Sequence, residues 1–181
     1  MKMKSFTLRG FTGLLSTLAA AGLCVSAPAQ SNTNKLRVGV YDSRVIAVAY
    51  GNSAEFQDNL KPVREEYDKA KKDGDEKRMK EIDERMKLQQ RRLHEQGFST
   101  GSVIGIMAKV KDALPAVAKE AGVQIIVSKW ELNFHSPEVE VVDVTDQVAA
   151  LFHTSERGRK WLKQIPSKPP IPIEEITDHM D

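Results

Sequence analysis

Three aspartates follow predicted β-strands, where their carboxyl groups could take part in acid–base chemistry. Asp42 follows a run that predicts a β-strand, and Asp143 and Asp146 follow another such run near the end of the chain. Carboxyl groups that meet in space can donate and accept protons as a catalytic pair. Aspartate is also a favoured capping residue for helices and turns. We favour capping, and we predict that the chain is not an enzyme.

Residues that bind metals or act as nucleophiles occur without the spacing that such sites need. His94-Glu95 continues as Gln96-Gly97, so there is no H-E-x-x-H zinc motif, and no serine stands in G-x-S-x-G. The only cysteine, Cys24, lies in the apolar N-terminal run. We therefore predict no catalytic residue, no metal site and no cofactor. The four histidines are His94, His135, His153 and His179.

A third kind of chemistry is non-covalent binding of other polypeptides. The middle of the chain places apolar residues at steps of three and four within charged sequence. Methionine adapts its shape to varied partners, although residues at this spacing can equally form the core of a helical hairpin. Neighbouring arginines could attract acidic polypeptides or anionic lipid, or form a solvated helix face. The candidate client-binding residues are Val63, Tyr67, Met79, Ile82, Met86, Arg91 and Arg92.

These residues belong to a charged stretch that predicts two helices. Between Lys61 and Glu95, 22 of 35 residues are charged, and both signs are interleaved. Two apolar seams with heptad steps run through the stretch and are out of phase with each other. The change of phase between the two seams lies at Gly74, and glycine beside aspartate is a signal for a turn. The sequence therefore predicts a helical hairpin arm with its tip near Gly74, and Pro62 predicts a kink or break at Lys61.

The N-terminus has the pattern of a secretory signal peptide. Lys2, Lys4 and Arg9 precede an apolar run, and Ala27-Pro28-Ala29 is a small-residue cleavage site. The run is short for a membrane anchor, which is the alternative. Without residues 1–29 the chain has 27 − 3 = 24 Lys and Arg against 25 Asp and Glu, a net charge of −1. We predict export to the periplasm, no stable membrane anchor and no nucleic-acid partner.

The flanking sequence predicts a small α+β body for the arm. Short apolar runs at 36–41, 123–127 and 139–142 predict about three strands in an antiparallel sheet, the last two forming a hairpin. A helix is predicted from Ser102 to Ala121, with Gly122 as its C-cap. It could cover the sheet of a single chain or leave it open for other copies. The predicted body core is Val38, Val40, Ile125, Val127, Phe134, Val141 and Phe152.

The domain boundaries follow from these elements. We expect a signal peptide at 1–29, a disordered linker at 30–35 and one domain at 36–153. Within that domain the body is 36–54 and 122–153, and the arm with the following helix is 55–121. Residues 154–181 predict a proline-rich tail that is extended or disordered.

The order of these segments resembles the OmpH/Skp family of periplasmic chaperones. The resemblance covers roughly 36–152 and rests on Leu36-Arg-Val-Gly-Val-Tyr-Asp42, the charged arm, Gly122-Val-Gln-Ile-Ile-Val-Ser128 and Glu140-Val-Val-Asp-Val-Thr145. It implies a homotrimer whose sheets form a β-barrel body. It also implies helical arms that surround unfolded outer-membrane client proteins, without a cofactor or catalysis.

Three hypotheses about function remain open at this point. The first is a periplasmic holdase for unfolded exported or outer-membrane proteins. The second is a non-chaperone envelope adaptor of the same fold that docks one specific partner. The third is an enzyme or small-molecule binder, which requires a pocket that joins Asp42 and Asp143 and a strongly shifted carboxyl pKa.

Overall fold

The computed structural model describes residues 35–176, so the predicted signal peptide and nearly all of the predicted linker lie outside the described residues. Within that range the chain forms three short strands and eight helices, which makes it an α+β fold dominated by helices. The strands are β1 Arg37–Tyr41, β2 Ile125–Ser128 and β3 Glu140–Asp143. The helices are α1 Ser43–Gly51, α2 Ala54–Asp73, α3 Glu76–Phe98, α4 Ile104–Met107, α5 Leu114–Ala121, α6 Thr145–Ala150, α7 Glu156–Leu162 and α8 Ile173–Ile176.

The sheet is parallel throughout, and the predicted antiparallel body is therefore wrong. The strand order is β2-β1-β3, and β1 pairs in parallel with both neighbours. β2 and β3 are not adjacent, so they cannot form the predicted hairpin. The chain leaves the sheet after Ser128, where Lys129 and Trp130 turn toward Asp42 instead of continuing as a strand. Segment 129–139 then returns the chain to the other end of the sheet, beside Leu36.

One face of the sheet packs against the helices. Tyr41, Ile126 and Val142 contribute to the helical core, together with residues of α1, α4, α5 and α6. Gly39 lies on this face, where an added Cβ would come within 3.1 Å of Val123 and 3.2 Å of Val144. A side chain at position 39 would therefore force these neighbours to move, and glycine lets the helical layer approach the central strand closely.

The predicted core residues of the three strands lie on the opposite face of the sheet. Successive side chains in a strand alternate between faces, so Val38 and Val40 point away from Tyr41. Both are buried, as is Phe152 in the helical core, and these three predictions are confirmed. Val127 is half-buried. Ile125 and Val141, which flank Val38, are 48% and 37% exposed, so the single chain by itself does not bury them in a core.

Phe134 was also predicted as a core residue, and this is wrong. Its side chain is 82% exposed. The alternation of apolar and polar residues at 129–134 would place Phe134 on an inward face only if the segment were a strand. The segment instead forms turns and irregular structure between β2 and β3, so no sheet fixes the direction of the Phe134 side chain.

Helices α2 and α3 form the predicted hairpin. Ser53 caps α2 by accepting from Phe56 N, and Asp75 caps α3 by accepting from Arg78 N. Between them Gly74 adopts φ 69°, and Asp75 N donates to Ala70 O at 2.9 Å. This is the left-handed C-cap that glycine favours. The residues around this turn, from 71 to 78, are all exposed, so the tip of the hairpin is surrounded by solvent.

The predicted break in the arm at Lys61 is absent. Pro62 lies inside α2 without ending it. Proline removes one backbone donor, but Pro62 and the preceding turn at Asp58 are exposed, so water can satisfy the carbonyl group that loses its partner. Helix α3 ends at Phe98 and is followed by irregular structure at 99–103.

The segment after the arm is less regular than predicted. A single helix was expected over 102–121, whereas α4 and α5 are separated by turns at 108–113. Pro115 stands at the start of α5, where a missing backbone donor is tolerated. Gly122 is the C-cap, as predicted, with φ 65°. Val103, Ile106 and Val117 join the core that contains Tyr41, so this region covers one face of the sheet.

The C-terminal segment lies against the body as far as residue 176, where the described residues end. Thr154 Oγ1 donates to Ala49 O at 3.1 Å, and this bond fixes the start of the segment on α1. Helix α7 then packs against α1, and α8 packs against α3. Ile176 in α8 is only 5% exposed. The proline-rich residues between α7 and α8 are therefore held at both ends.

Candidate functional site

The candidate binding residues of the arm form a shallow apolar groove. Val63 and Tyr67 of α2 lie opposite Ile82 and Met86 of α3 around a cavity of about 290 Å³. Ile82 is 2% exposed and is therefore part of the hairpin core. The other three residues, like Met79, are half-buried and keep surface that a bound polypeptide could contact.

Ion pairs between charged side chains connect the two helices of the arm. Glu66 of α2 forms ion pairs with Arg78 and Arg85 of α3, the latter at 2.8 Å. Hydrogen bonds from Arg85 and Arg78 lower the pKa of Glu66 below its usual value. Of the two candidate arginines, Arg91 pairs with Glu95 at 3.0 Å and Arg92 is exposed. The interleaved charges thus hold the hairpin together while leaving its surface polar.

A second apolar groove lies at the base of the arm. It has a volume of about 320 Å³ and runs between α1, the end of α3 and the C-terminal segment. Val48, Gly97, Phe98, Trp161 and Ile165 supply its apolar walls. Phe98 is 51% exposed and Trp161 is 57% exposed, so two large aromatic faces are open to solvent at this groove.

The aspartate predicted at the end of β1 is the centre of a buried ion-pair cluster. Asp42 is 1% exposed and caps α1 by accepting from Arg44 N. Its carboxylate accepts from Arg44 Nε at 3.1 Å and Nη2 at 2.8 Å, and it pairs with Lys129 Nζ at 2.7 Å. Trp130 Nε1 donates to the same carboxylate at 3.3 Å, and the Arg44 guanidinium lies 5.1 Å from the Trp130 ring centre.

The electrostatics of this cluster keep Asp42 ionised. Burial alone raises the pKa of Asp42, but hydrogen bonds and positive charge from Arg44 and Lys129 outweigh burial and lower it from 3.8 to about 2. A carboxylate with so low a pKa is a weak base, and it carries no proton to donate near neutral pH. Asp42 is therefore suited to holding Arg44 and Lys129 in place.

The three strand-end aspartates do border one cavity. Asp42, Asp143 and Asp146 line a space of about 460 Å³ at the carboxyl ends of β1 and β3. Asp143 Oδ1 accepts from Thr145 N at 2.8 Å, which is the capping role favoured from the sequence. The pocket required by the enzyme hypothesis is thus present, but the pKa of Asp42 shifts downward, opposite to the upward shift that makes a carboxyl group a general acid at neutral pH.

The histidines do not assemble a metal site in the part of the chain that the structure describes. His94 lies against Phe98, with ring centres 5.3 Å apart. Between residues 35 and 176 no group of three or more His, Cys, Asp or Glu side chains is arranged to hold a metal ion. His179 lies outside these residues.

Sequence reasoning located Asp42 but missed its partners. Arg44 lies two residues further along the chain, so the short spacing was a usable signal. Lys129 and Trp130 reach Asp42 from the end of β2, which depends on β1 and β2 being parallel neighbours. The base groove was missed for a related reason, because Phe98 and Trp161 meet only when the C-terminal segment folds back onto α3.

Comparison with protein-family models, with curated proteins and with solved structures found no match for this chain. Among the described helices, none combines the length and the apolar character needed to cross a membrane.

Proposed function

We propose that this chain is an exported holdase that binds unfolded polypeptides without catalysis. The observation that carries the proposal is the open apolar surface set within the charged arm and at its base. Val63, Tyr67 and Met86 are half-buried in the arm groove, and Phe98 and Trp161 are about half exposed in the base groove. Apolar surface of this kind suits weak, sequence-tolerant binding of extended chains.

The proposal includes export to the periplasm and assembly into a homo-oligomer, a trimer by resemblance to the OmpH/Skp family. Support for assembly comes from the sheet face that carries Val38 and Val40. Its flanking residues Ile125 and Val141 remain partly exposed in the single chain. Several copies would multiply weak contacts with one client and increase its overall affinity.

The test is suppression of aggregation of a chemically unfolded outer-membrane protein by the chain without residues 1–29. Replacing Val63 and Tyr67 together with Ser should weaken protection several-fold, because both residues border the arm groove and are only half-buried. Ile82 is unsuitable for this test, since its burial makes it a hairpin residue. The control is Gln90→Ser, an exposed polar change on α3 that should leave protection unchanged.

The range of clients distinguishes the holdase from the adaptor. A holdase should protect several unrelated unfolded proteins, including a soluble one, to a similar extent. Protection or binding of one envelope protein alone would favour the adaptor. Full protection by the Val63→Ser, Tyr67→Ser variant would contradict client binding in the arm groove.

A further inference from the structure

Residues 169–172 of the proline-rich segment lie between a turn and helix α8, and two hydrogen bonds hold this part of the chain by its backbone alone. Arg44 Nη1 donates to Lys168 O at 2.8 Å, and Ile171 N donates to Phe98 O at 2.9 Å. Neither bond uses a side chain of the bound segment. The prolines at 166, 169, 170 and 172 leave few backbone donors in it, so the bond from Ile171 uses one of the few that remain.

Both receptor groups are held by contacts that do not involve the segment. Phe98 is the last residue of α3, and the last four carbonyl groups of a helix have no partner within that helix. The Arg44 side chain is 3% exposed, and Asp42 holds two of its nitrogens. Its remaining nitrogen, Nη1, thus points at the peptide carbonyl with little conformational freedom to lose on binding.

The walls between these two polar contacts suit apolar side chains and proline rings. Pro169 and Ile171 contribute to the base groove beside Phe98 and Trp161. Ile171 is 39% exposed, and the two aromatic rings remain about half exposed with the segment in place. The segment therefore forms one wall of the groove and leaves the space beside it open.

We propose that α1, the end of α3 and α7 form a peptide-binding site at the base groove, and that residues 166–176, which supply its remaining wall, are its internal, exchangeable ligand. The partner that displaces them is an extended client segment with the same chemistry: proline and β-branched apolar residues, with a free carbonyl and a free N–H at the spacing of Lys168 and Ile171. The identity of this partner as a client rests on the proposed holdase function. The proposal that the groove binds peptides does not depend on that function.

The experiment uses a fluorescent synthetic peptide with the sequence of residues 166–176 and measures anisotropy. The peptide should bind a chain that ends at Ile165 at least about tenfold more tightly than it binds the full chain, because an attached segment competes at an effective concentration near the millimolar range. Equal binding by the two proteins, or no binding by a truncated chain with native far-UV circular dichroism, would overturn the proposal.

A single substitution in the full chain tests the same point without truncation. Ile171→Pro removes the donor to Phe98 O while keeping the segment extended, so peptide binding should approach that of the truncated chain. Ile173→Pro is the matched control, since it adds a proline at the first position of α8, where proline is tolerated. It should bind the peptide as weakly as the unmodified chain. An Ile171→Pro protein that binds no more tightly than this control counts against the proposal.

A modified version of the same peptide provides a further control. N-methylation of the Ile171 amide should weaken binding to the truncated chain about tenfold, the usual effect of one well-placed hydrogen bond. Unchanged affinity would show that backbone recognition by Phe98 is absent. An aggregation assay on the same proteins separates the two proposals: peptide binding without client protection would refute the holdase and keep the groove, and the opposite result would refute the groove.

Discussion

At the scale of single residues, Asp42 joins three parts of the chain that are distant in sequence. It ends β1, caps α1 and pairs with Lys129 beyond β2. A buried charge is tolerated when its partners are close and its hydrogen bonds are satisfied, and removing one partner leaves the others uncompensated. The cluster therefore affects the free energy of unfolding most strongly when one of its members is removed, because the remaining charges then stay buried without a partner.

Asp42→Asn should lower the free energy of unfolding by about 3 kcal/mol, because the change leaves the buried Arg44 and the adjacent Lys129 without their counter-charge. Urea denaturation followed by circular dichroism measures this. Asp143→Asn is the control, since Asn can still accept from Thr145 N at that exposed position, and it should change stability by less than about 0.5 kcal/mol. Equal effects of the two substitutions would contradict the assigned role of Asp42.

The lowered pKa of Asp42 predicts a pH dependence of stability. Its folded pKa of about 2 lies below its ordinary value of 3.8, so the stabilisation is complete above about pH 5 and is lost as the pH falls from about 4 toward 2. The shift corresponds to roughly 2 kcal/mol. Denaturation curves at these pH values should show the loss in the unmodified chain and a smaller one in Asp42→Asn. A parallel loss in both proteins would assign the effect to other carboxyl groups.

At the scale of elements, the arm was predictable because its determinants are local. Heptad steps marked α2 and α3, and Gly74 beside aspartate marked the turn. The sheet was not predictable in the same way, since short apolar runs specify neither the direction nor the order of strands. The antiparallel prediction assumed that strands close in sequence pair with each other, whereas β1 is the partner of both β2 and β3.

Gly74→Ala tests the turn of the arm. The added Cβ meets no atom within 4 Å, so its cost comes only from holding a non-glycine residue at φ 69°, about 1 kcal/mol. Gly105→Ala also meets no atom within 4 Å, but Gly105 has no positive φ, so that control should be neutral or slightly stabilising. Thermal unfolding of both variants measures the difference, and no difference would contradict the left-handed cap.

At the scale of the whole molecule, the helices cover one face of the sheet, and the other keeps apolar residues at its margins. Ile125 and Val141 were predicted in the core and lie partly exposed. The sequence identified them as apolar strand residues but could not indicate whether the surface that covers them belongs to the same chain. Their exposure is the structural basis for proposing assembly.

We expect light scattering coupled to size-exclusion chromatography of the chain without residues 1–29 to give the mass of a trimer. Replacing Ile125 and Val141 with Lys should yield monomers that keep their helical content, because charged residues on an apolar interface oppose association. Leu88→Lys, a change at an arm position that is 67% exposed, is the control and should remain trimeric. A monomeric unmodified chain would contradict assembly through the sheet and favour the single-partner adaptor.

The central position of β1 also has a consequence for synthesis and folding. β1 appears early in the chain, but both of its partners follow residue 124. Until they arrive, both edges of an apolar strand are unpaired, a state that invites aggregation. The arm can form before β2 and β3 are synthesised, because a hairpin of helices depends on local contacts. We therefore expect closure of the sheet across the intervening residues to be the slow step of folding, with β1 exposed and unpaired until it occurs.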